Sequence, residues 1–249
     1  MITKDVCMKR HVGKLILFGI LMFGLESCFL LESISRSGGW TTYPSTSQTD
    51  IPNKTETPKE SGKTSPTNNK DSGNNPKGIP NSLERAILAE LNLVRQNPSN
   101  YAAQVMKHYR NSSAAADECY RELLKTKKMA AFEFETGLYQ AADWFVQYQA
   151  KSGAIGHDSS VQGYRTPGER ISQFGIWNGS WGENISYGYN EARAIVVQLL
   201  IDDGVPGRGH RKNILNPSFK KIGIATGSHA KYRFMCVMDF ANAYTTYVH

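Results

Sequence analysis

The sequence lacks several signatures of hydrolases and of nucleic-acid-binding proteins. It contains neither a G-x-S-x-G motif nor an H-E-x-x-H motif, which would mark a serine nucleophile or a zinc ligand pair with its general base. It has no dense run of Lys and Arg and no internal repeat. The net charge is +7, and residues 81–249 hold 19 Lys and Arg against 15 Asp and Glu. A nucleic-acid module is therefore excluded, whereas an anionic wall or lipid surface suits this mild positive charge.

Cysteine is also scarce, with four residues in 249. Cys7 falls in the apolar leader described below, and Cys28 follows that leader directly. Cys119 and Cys236 remain as an even pair in a domain that we expect to be exported. The pair is consistent with a disulfide, and equally with two buried free thiols.

The N-terminus has an apolar run that is shorter than a membrane-spanning helix usually requires. Four basic residues precede the run from Leu15 to Leu25, which is the pattern of a secretory signal peptide over residues 1–27. The sequence Leu25-Glu26-Ser27-Cys28 resembles a bacterial lipobox, although Glu26 is unusual there. We expect lipidation of Cys28 and a cell-surface location, with plain secretion or an uncleaved anchor as alternatives.

Residues 28–80 read as a disordered tether. Six of the ten prolines lie between Pro44 and Pro80, among Ser, Thr, Asn, Lys and Gly. Such a segment buries too little apolar surface to offset the entropy of ordering it. The remaining residues, 81–249, suit one domain with its own core.

Within the domain, local patterns predict several elements. Asn81 with Glu84 predicts a helix N-terminus, and Asn97-Pro98 predicts a restart of that helix. A second helix is expected over 135–150, with a loop at 111–116 before it. Further on we expect a strand over 185–189 with Glu183 at its entrance, a helix capped by Asn190, and two strands over 221–225 and 232–240 joined through Gly227-Ser228.

Three short motifs carry most of the functional information. They are Gly156-His157-Asp158, Gly182-Glu183-Asn184-Ile185 and Gly209-His210-Arg211-Lys212-Asn213-Ile214-Leu215. His157 precedes Glu183 by 26 residues, and Glu183 precedes His210 by 27. A glycine before each polar side chain is typical of a turn that brings the backbone close to a site. If the three turns open on the same side, the chain has a His/Glu/His cluster in a cleft.

The motifs also resemble a known family. GENIS, the run EARAIVVQLLIDDG, GHRKNILNPSFKKIGIA and the earlier AILAELNLVRQNPSNYA are similar to the CAP superfamily of SCP-like extracellular domains, in its bacterial form. The resemblance implies an α+β fold, an α-β-α sandwich with a small central antiparallel sheet flanked by helices. It also implies a cleft of two histidines and two acids that can hold a divalent cation. The second acid lies late in the helix before the His-Arg motif, which favours Asp202, with Asp203 or no acid as alternatives.

The site residues follow from this combination. His157, His210, Glu183 and Asp202 are the expected metal site, and zinc is the expected ion because neutral imidazole suits it. Glu183 is a base, a ligand or the hydrogen-bonding partner of an imidazole; the alternative is that these side chains only hold loops together. Structural support is expected from four other residues of the motifs and of the segment Pro-Gly-Glu-Arg-Ile at 167–171: Arg170, Asn184, Arg211 and Asn213.

Three functions remain open from the sequence. The first is a non-catalytic, exported binding module that is tethered to the membrane through its N-terminal lipid. Its cleft would bind a divalent cation, and its partner would be a lipid, a surface glycan or a host or cell-surface protein. The second is a metal-dependent hydrolase of peptides or esters with Glu183 as the catalytic base. The third is a structural or adhesive surface protein. The sequence indicates no oligomeric state.

Overall fold

A computed structural model describes residues 78–248 of the chain. The predicted signal peptide, Cys28 and almost all of the predicted tether lie outside the described residues. Within residues 78–248, no helix is long and apolar enough to cross a membrane.

The described chain folds into seven α-helices, a short 3-10 helix and four strands. The helices are α1 (Ser82–Gln96), α2 (Pro98–Gln104), the 3-10 turn Met106–His108, α3 (Ala114–Lys125), α4 (Thr136–Ser152), α5 (Pro167–Phe174), α6 (Ala192–Ile201) and α7 (Gly209–Ile214). The strands are β1 (Glu133–Phe134), β2 (Gly175–Tyr187), β3 (Lys221–His229) and β4 (Arg233–Thr246). The strands form one sheet in the order β1-β3-β4-β2. The long strands pair antiparallel, and the two-residue β1 is parallel to β3.

The sheet is covered by helices on both faces, so the α-β-α sandwich is confirmed. Side chains of a strand alternate between faces. Ile222, Ile224, Met238 and Phe240 pack with α1, α2, α3 and α6 in the larger core cluster. On the opposite face Ile185, Ala225, Met235 and Val237 pack against α4. The approach of α4 to β3 is close because Gly223 lies there: a Cβ at this position would be 2.0 Å from the backbone nitrogen of Tyr139.

The predicted start of the first helix is confirmed in detail. The Asn81 side chain accepts from the backbone N–H of Glu84 at 2.9 Å, and the Glu84 carboxylate accepts from the N–H of Asn81 at 2.7 Å. This capping box satisfies two otherwise unpaired donors. Asn97 caps α2 and Pro98 occupies its first turn, as expected.

Several predicted boundaries are wrong. Strand β2 begins at Gly175, so Glu183 lies inside the strand rather than at its entrance. The N-cap of α6 is Glu191 and not Asn190. Gly227 and Ser228 belong to β3, and the connection to β4 falls at 230–232. Helix α3 occupies part of the predicted loop, since Ser113 caps it through the N–H of Ala116. Strands β2 and β3 extend beyond their local signals because they pair with β4 along their length, whereas the helix ends differ from prediction by only a few residues.

The two cysteines of the domain are free and buried. Of the two alternatives, the structure therefore has the free thiols and not the disulfide. Cys119 lies in α3, which packs mainly against α2 and α6, whereas Cys236 lies in the middle of the sheet. Burial raises the pKa of the Cys119 thiol to about 12 and that of Cys236 still further, so both behave as small apolar side chains.

Candidate functional site

The four predicted site residues converge at one end of β2. His157 lies in the loop after α4, and Glu183 lies in β2. Asp202 ends α6, and His210 lies in the first turn of α7. The structure thus brings together all four side chains from elements that are well separated in the chain, and they form two histidine–carboxylate pairs.

The first pair is His157 with Glu183. The Nδ1 atom of His157 lies 2.7 Å from Oε1 of Glu183. The second oxygen, Oε2, accepts from Nη2 of Arg170 at 2.6 Å. Arg170 is fully buried, and its guanidinium lies 3.6 Å from the ring centre of Phe145. Both oxygens of Glu183 are therefore engaged by cationic or imidazole donors.

A second buried acid stands beside this pair. Asp239 is directly opposite Glu183 in the β2–β4 register. It is fully buried, and neither of its oxygens has a hydrogen bond of regular geometry among the described residues. Burial, together with the charge of Glu183, raises the pKa of Asp239 well above its ordinary range. Burial alone would also raise the pKa of Glu183, but Arg170 and His157 outweigh it and hold that pKa below its usual value. The pKa values of the two neighbouring acids are thus shifted in opposite directions, and Glu183 is the one whose ionised form the surroundings favour.

The second pair is His210 with Asp202. The Nδ1 atom of His210 lies 2.6 Å from Oδ1 of Asp202, and the backbone N–H of His210 donates to Oδ2 at 2.9 Å. Asp202 is the C-cap of α6 and has a left-handed backbone, with φ of 54°. Aspartate tolerates this conformation better than most residues. One carboxylate therefore orients the imidazole and also caps α7.

The two imidazoles lie near one another. Their ring centres are 6.5 Å apart and the ring planes differ by 28°. The side chains of His157 and His210 are 15% and 22% exposed, whereas their carboxylate partners are buried. Since Nδ1 of each ring is held by a carboxylate, Nε2 is the nitrogen that can bind an ion, which is the usual arrangement around metal-bound histidine.

The spacing of the rings sets a condition on metal binding. Because a Zn–N bond is about 2.0–2.1 Å, two imidazoles on one ion have ring centres at most about 6.5 Å apart. Tetrahedral angles require about 5.2 Å, so the rings must approach by about 1 Å. In residues 78–248 no group of three or more His, Cys, Asp or Glu side chains is arranged to hold a metal. The two imidazoles would hold an ion only after this approach, and water or a ligand would complete its coordination.

The loop that carries His157 is held by one buried and one half-buried side chain, Gln149 and Tyr187, neither of which was predicted from the sequence. The amide of Gln149 donates to the carbonyl of Gly156 at 2.7 Å. The hydroxyl of Tyr187 accepts from the N–H of Gly156 at 3.2 Å and donates to Oε1 of Gln149 at 2.7 Å. Both backbone groups of Gly156 are fixed in this way, directly before His157.

The four predicted support residues make the contacts of a scaffold. Asn184 donates to the carbonyl of His210 at 3.0 Å, and Asn213 donates to Oδ1 of Asn184 at 2.9 Å; together they join β2 to α7. Arg211 is buried and donates to three backbone carbonyls and to two glutamates of α3: Leu200, Ala115, Ile201, Glu118 and Glu122. Arg170 likewise donates to loop carbonyls besides Glu183.

Asp239 was also not predicted as a site residue, although the sequence contains a signal for it. It is the single charged residue in the run MCVMDFANAY of β4. A lone acid among apolar residues of a central strand indicates a buried polar contact, since an unpaired buried charge is costly. The identity of its neighbour, however, depends on the β2–β4 register.

Solved structures that match part of this chain come from several organisms. A venom allergen-like protein 4 from Schistosoma mansoni is 16% identical over 65% of this chain and 88% of its own, with a TM-score of 0.40. An outer surface protein from Borrelia burgdorferi is 18% identical over 55% of this chain and 90% of its own, with a TM-score of 0.39. An extracellular SCP-domain protein from Bacillus anthracis is 21% identical over 45% of this chain, with a TM-score of 0.35, and the chain spans only 34% of that protein.

The family of this chain is assigned from a family model and not from these distantly similar solved structures. No curated protein matches the chain. Residues 88–240 match the model of CAP, the cysteine-rich secretory protein family. This range is more than half of the chain and includes α1 from residue 88 onward, the sheet as far as Phe240, and all four candidate site residues. The chain therefore belongs to the CAP family.

Proposed function

We propose that this protein is an exported, non-catalytic binding module whose cleft holds one divalent cation through His157 and His210. The observation that carries the proposal is the pair of histidine–carboxylate contacts, 2.7 Å and 2.6 Å long. Each contact leaves Nε2 as the metal-binding nitrogen and keeps the imidazole in the required tautomer. Zinc is the first ion to test because it accepts neutral imidazole readily.

In this proposal the acids support the histidines rather than bind the ion. Glu183 uses both oxygens on His157 and Arg170, and Asp202 uses both on His210. Of the three roles considered for Glu183, the geometry favours that of the imidazole's partner. The lowered pKa of Glu183 also makes it a weak base, since an efficient general base has a pKa near the working pH. When bound, the ion would supply a Lewis-acidic centre to which a ligand oxygen or nitrogen can coordinate.

The location outside the membrane is part of the same proposal. The chain belongs to a family of secretory proteins, and the N-terminal pattern favours a signal peptide followed by a lipidated Cys28. A membrane-tethered domain of this kind would meet lipids, surface glycans and the surface proteins of its own or a host cell. Mass spectrometry of the mature N-terminus tests the anchor: an acylated Cys28 supports it, and a chain that begins elsewhere without lipid removes it.

The metal proposal is tested by zinc titration of the purified protein, followed by calorimetry and thermal melting. The wild type is compared with His157→Ala and His210→Ala, and with His108→Ala as a matched control because His108 is exposed and remote from the cleft. We expect one equivalent of zinc to bind. At 100 times Kd it should stabilise the wild type and the control by about 2.7 kcal/mol.

Two results would contradict the proposal. The first is no response of the wild type to zinc while both cleft variants simply melt earlier, which would make the four residues a structural cluster. The second is unchanged zinc binding in both cleft variants, which would place the metal elsewhere. Metal-dependent turnover of a peptide or ester that is lost in Glu183→Gln would instead establish the hydrolase.

A further inference from the structure

Three segments meet at the end of the sheet where β3 turns into β4, and together they form a basic tip. The segments are 151–155, 188–190 and 230–233. The carbonyl of Ala154 accepts from Nε2 of His229 at 2.8 Å, which joins the first segment to the turn. The N–H of Gly188 donates to the carbonyl of Phe234 at 2.9 Å, which joins the second. The ring centres of Tyr187 and Tyr232 lie 5.2 Å apart beneath them.

The charge of the basic tip has one sign. Lys151, Lys231 and Arg233 are exposed, and the three segments contain no acid. None of these three cations forms an ion pair within residues 78–248. Two of them lie near aromatic rings instead, with Nζ of Lys231 5.3 Å from the ring centre of Tyr232 and the Arg233 guanidinium 6.0 Å from that of Phe234. The first acids along the chain, Asp158 and Glu191, lie just outside the tip.

Large apolar side chains are exposed in the same segments. Ile155 is 47% exposed and Tyr189 is 46% exposed. An aliphatic and a tyrosine side chain that project beside lysine and arginine match the interface of a membrane. There the aromatic ring lies at the headgroup level, and the cations meet anionic lipids. An anionic polysaccharide would satisfy the charges but would leave Ile155 in water.

The backbone at Arg233 is a second observation, independent of charge and exposure, that indicates a functional role for the basic tip. Arg233 has φ of 70°, a left-handed conformation that glycine adopts without steric cost. A residue other than glycine is strained in this conformation, and the strain energy is of the order found for strained backbones at functional sites. The turn therefore retains a cation at a position where glycine would fit better.

We propose that the basic tip docks the domain onto the surface of an anionic lipid bilayer. The chain enters the domain close to the tip: the Asn81 side chain donates to Oγ1 of Thr226 at 3.1 Å, three residues before the end of β3. If the predicted tether behaves as a flexible chain of about 50 residues, it would span roughly 40 Å on average. Such a tether, anchored at Cys28, would hold the tip at a high effective concentration near the membrane, so weak docking suffices. The tether argument rests on the proposed lipid anchor, whereas the surface itself does not.

Docking would also orient the candidate metal cleft. Ile155 precedes His157 by two residues, and the loop between them is fixed through Gly156. A domain that rests on its basic tip would therefore hold the cleft close to the headgroups.

The test is sedimentation of the unlipidated mature chain, carrying Cys28→Ser, with vesicles of phosphatidylcholine alone or with about 30% phosphatidylglycerol. The tip variant carries Lys151→Gln, Lys231→Gln and Arg233→Gln. The matched control carries Lys107→Gln, Lys127→Gln and Lys128→Gln, three exposed cations away from the tip with the same change in net charge. Thermal melts establish that each variant is folded.

We expect binding to the anionic vesicles only. Because each basic residue near such a surface contributes about fivefold, the tip variant should bind on the order of 100-fold more weakly, while the control stays close to wild type. Arg233→Gly should weaken binding by about fivefold without loss of thermal stability. Ile155→Ser should weaken it at constant charge.

Three outcomes would overturn the proposal. They are no wild-type binding to anionic vesicles, equal losses in the tip and control variants, and binding to an anionic polysaccharide but not to vesicles. Zinc is absent from this assay, so failure of the metal proposal leaves its outcome unchanged, and failure of docking leaves the zinc titration unchanged.

Discussion

Arg170→Met is expected to destabilise the domain strongly, because it leaves a buried carboxylate without its main partner. Arg170 is fully buried, contacts Glu183 at 2.6 Å and stacks on Phe145 at 3.6 Å. Methionine preserves much of the packing on Phe145 and removes the charge. Glu183 then keeps His157 as its bonded partner, with Asp239 still beside it.

The magnitude follows from the burial of the pair. Removing one partner of a buried ion pair costs about 3–5 kcal/mol, a large part of the roughly 5–15 kcal/mol that keeps a domain folded. The loss should depend on pH. In the wild type the pKa of Glu183 is lowered, so its contribution is present above the ordinary pKa and is lost as the pH falls through the lowered one. In the variant burial raises that pKa, so the deficit shrinks on acidification, by up to about 1.4 kcal/mol per pH unit.

Urea unfolding at pH 7 and pH 5 measures this, with three comparisons. Arg165→Met, an exposed neighbour, should change the free energy of unfolding by less than about 0.5 kcal/mol. The double variant Arg170→Met with Glu183→Gln should recover about 2 kcal/mol relative to Arg170→Met alone. A deficit that is equal at both pH values and equal in the single and double variants would refute the reasoning, because Arg170 would then act through packing alone.

Three further predictions concern the surroundings of the pair. Asp239→Asn should stabilise the protein, because the raised pKa of Asp239 makes ionisation of this buried side chain costly. The gain in the free energy of unfolding should grow as the pH rises from about 4, by up to about 1.4 kcal/mol per pH unit. Curves of stability against pH that run parallel for variant and wild type from pH 4 to pH 8 would contradict this. Tyr187→Phe, which loses the hydroxyl on Gly156, should weaken zinc binding about 10-fold or more in calorimetry, and unaltered affinity would separate the loop from the site. Gly223→Ala should cost at least about 3 kcal/mol, because its Cβ would meet the Tyr139 backbone; a wild-type melting temperature would show that α4 does not pack so closely on β3.

The fold and the group of candidate site residues could both be predicted from the sequence, but for different reasons. The fold followed from the family resemblance, which the match over residues 88–240 confirms. The proximity of His157, Glu183 and His210 followed from glycine-led motifs at matched spacing, and Asp202 from the resemblance. In the structure these four residues form two histidine–carboxylate pairs whose imidazole rings are 6.5 Å apart. Their binding of a metal stays a prediction.

What the sequence left out depends on contacts between distant residues. The position of Asp239 opposite Glu183 requires the register of β2 with β4, which no local pattern specifies. The two hydrogen bonds that hold Gly156 come from Gln149 of α4 and Tyr187 of β2. Likewise the state of Cys119 and Cys236 depends on how α3 packs and not on their number. Local signals placed the start of α1 correctly because its cap residues are three apart.

The most direct test of the central claim is a crystal structure of the zinc-soaked protein with data collected at the zinc absorption edge. The account predicts one anomalous peak in the cleft, about 2.0–2.1 Å from Nε2 of both His157 and His210, with Glu183 and Asp202 still bonded to the Nδ1 atoms. A peak on other residues, a peak on Nδ1 with the carboxylates displaced, or no peak in the cleft would contradict it.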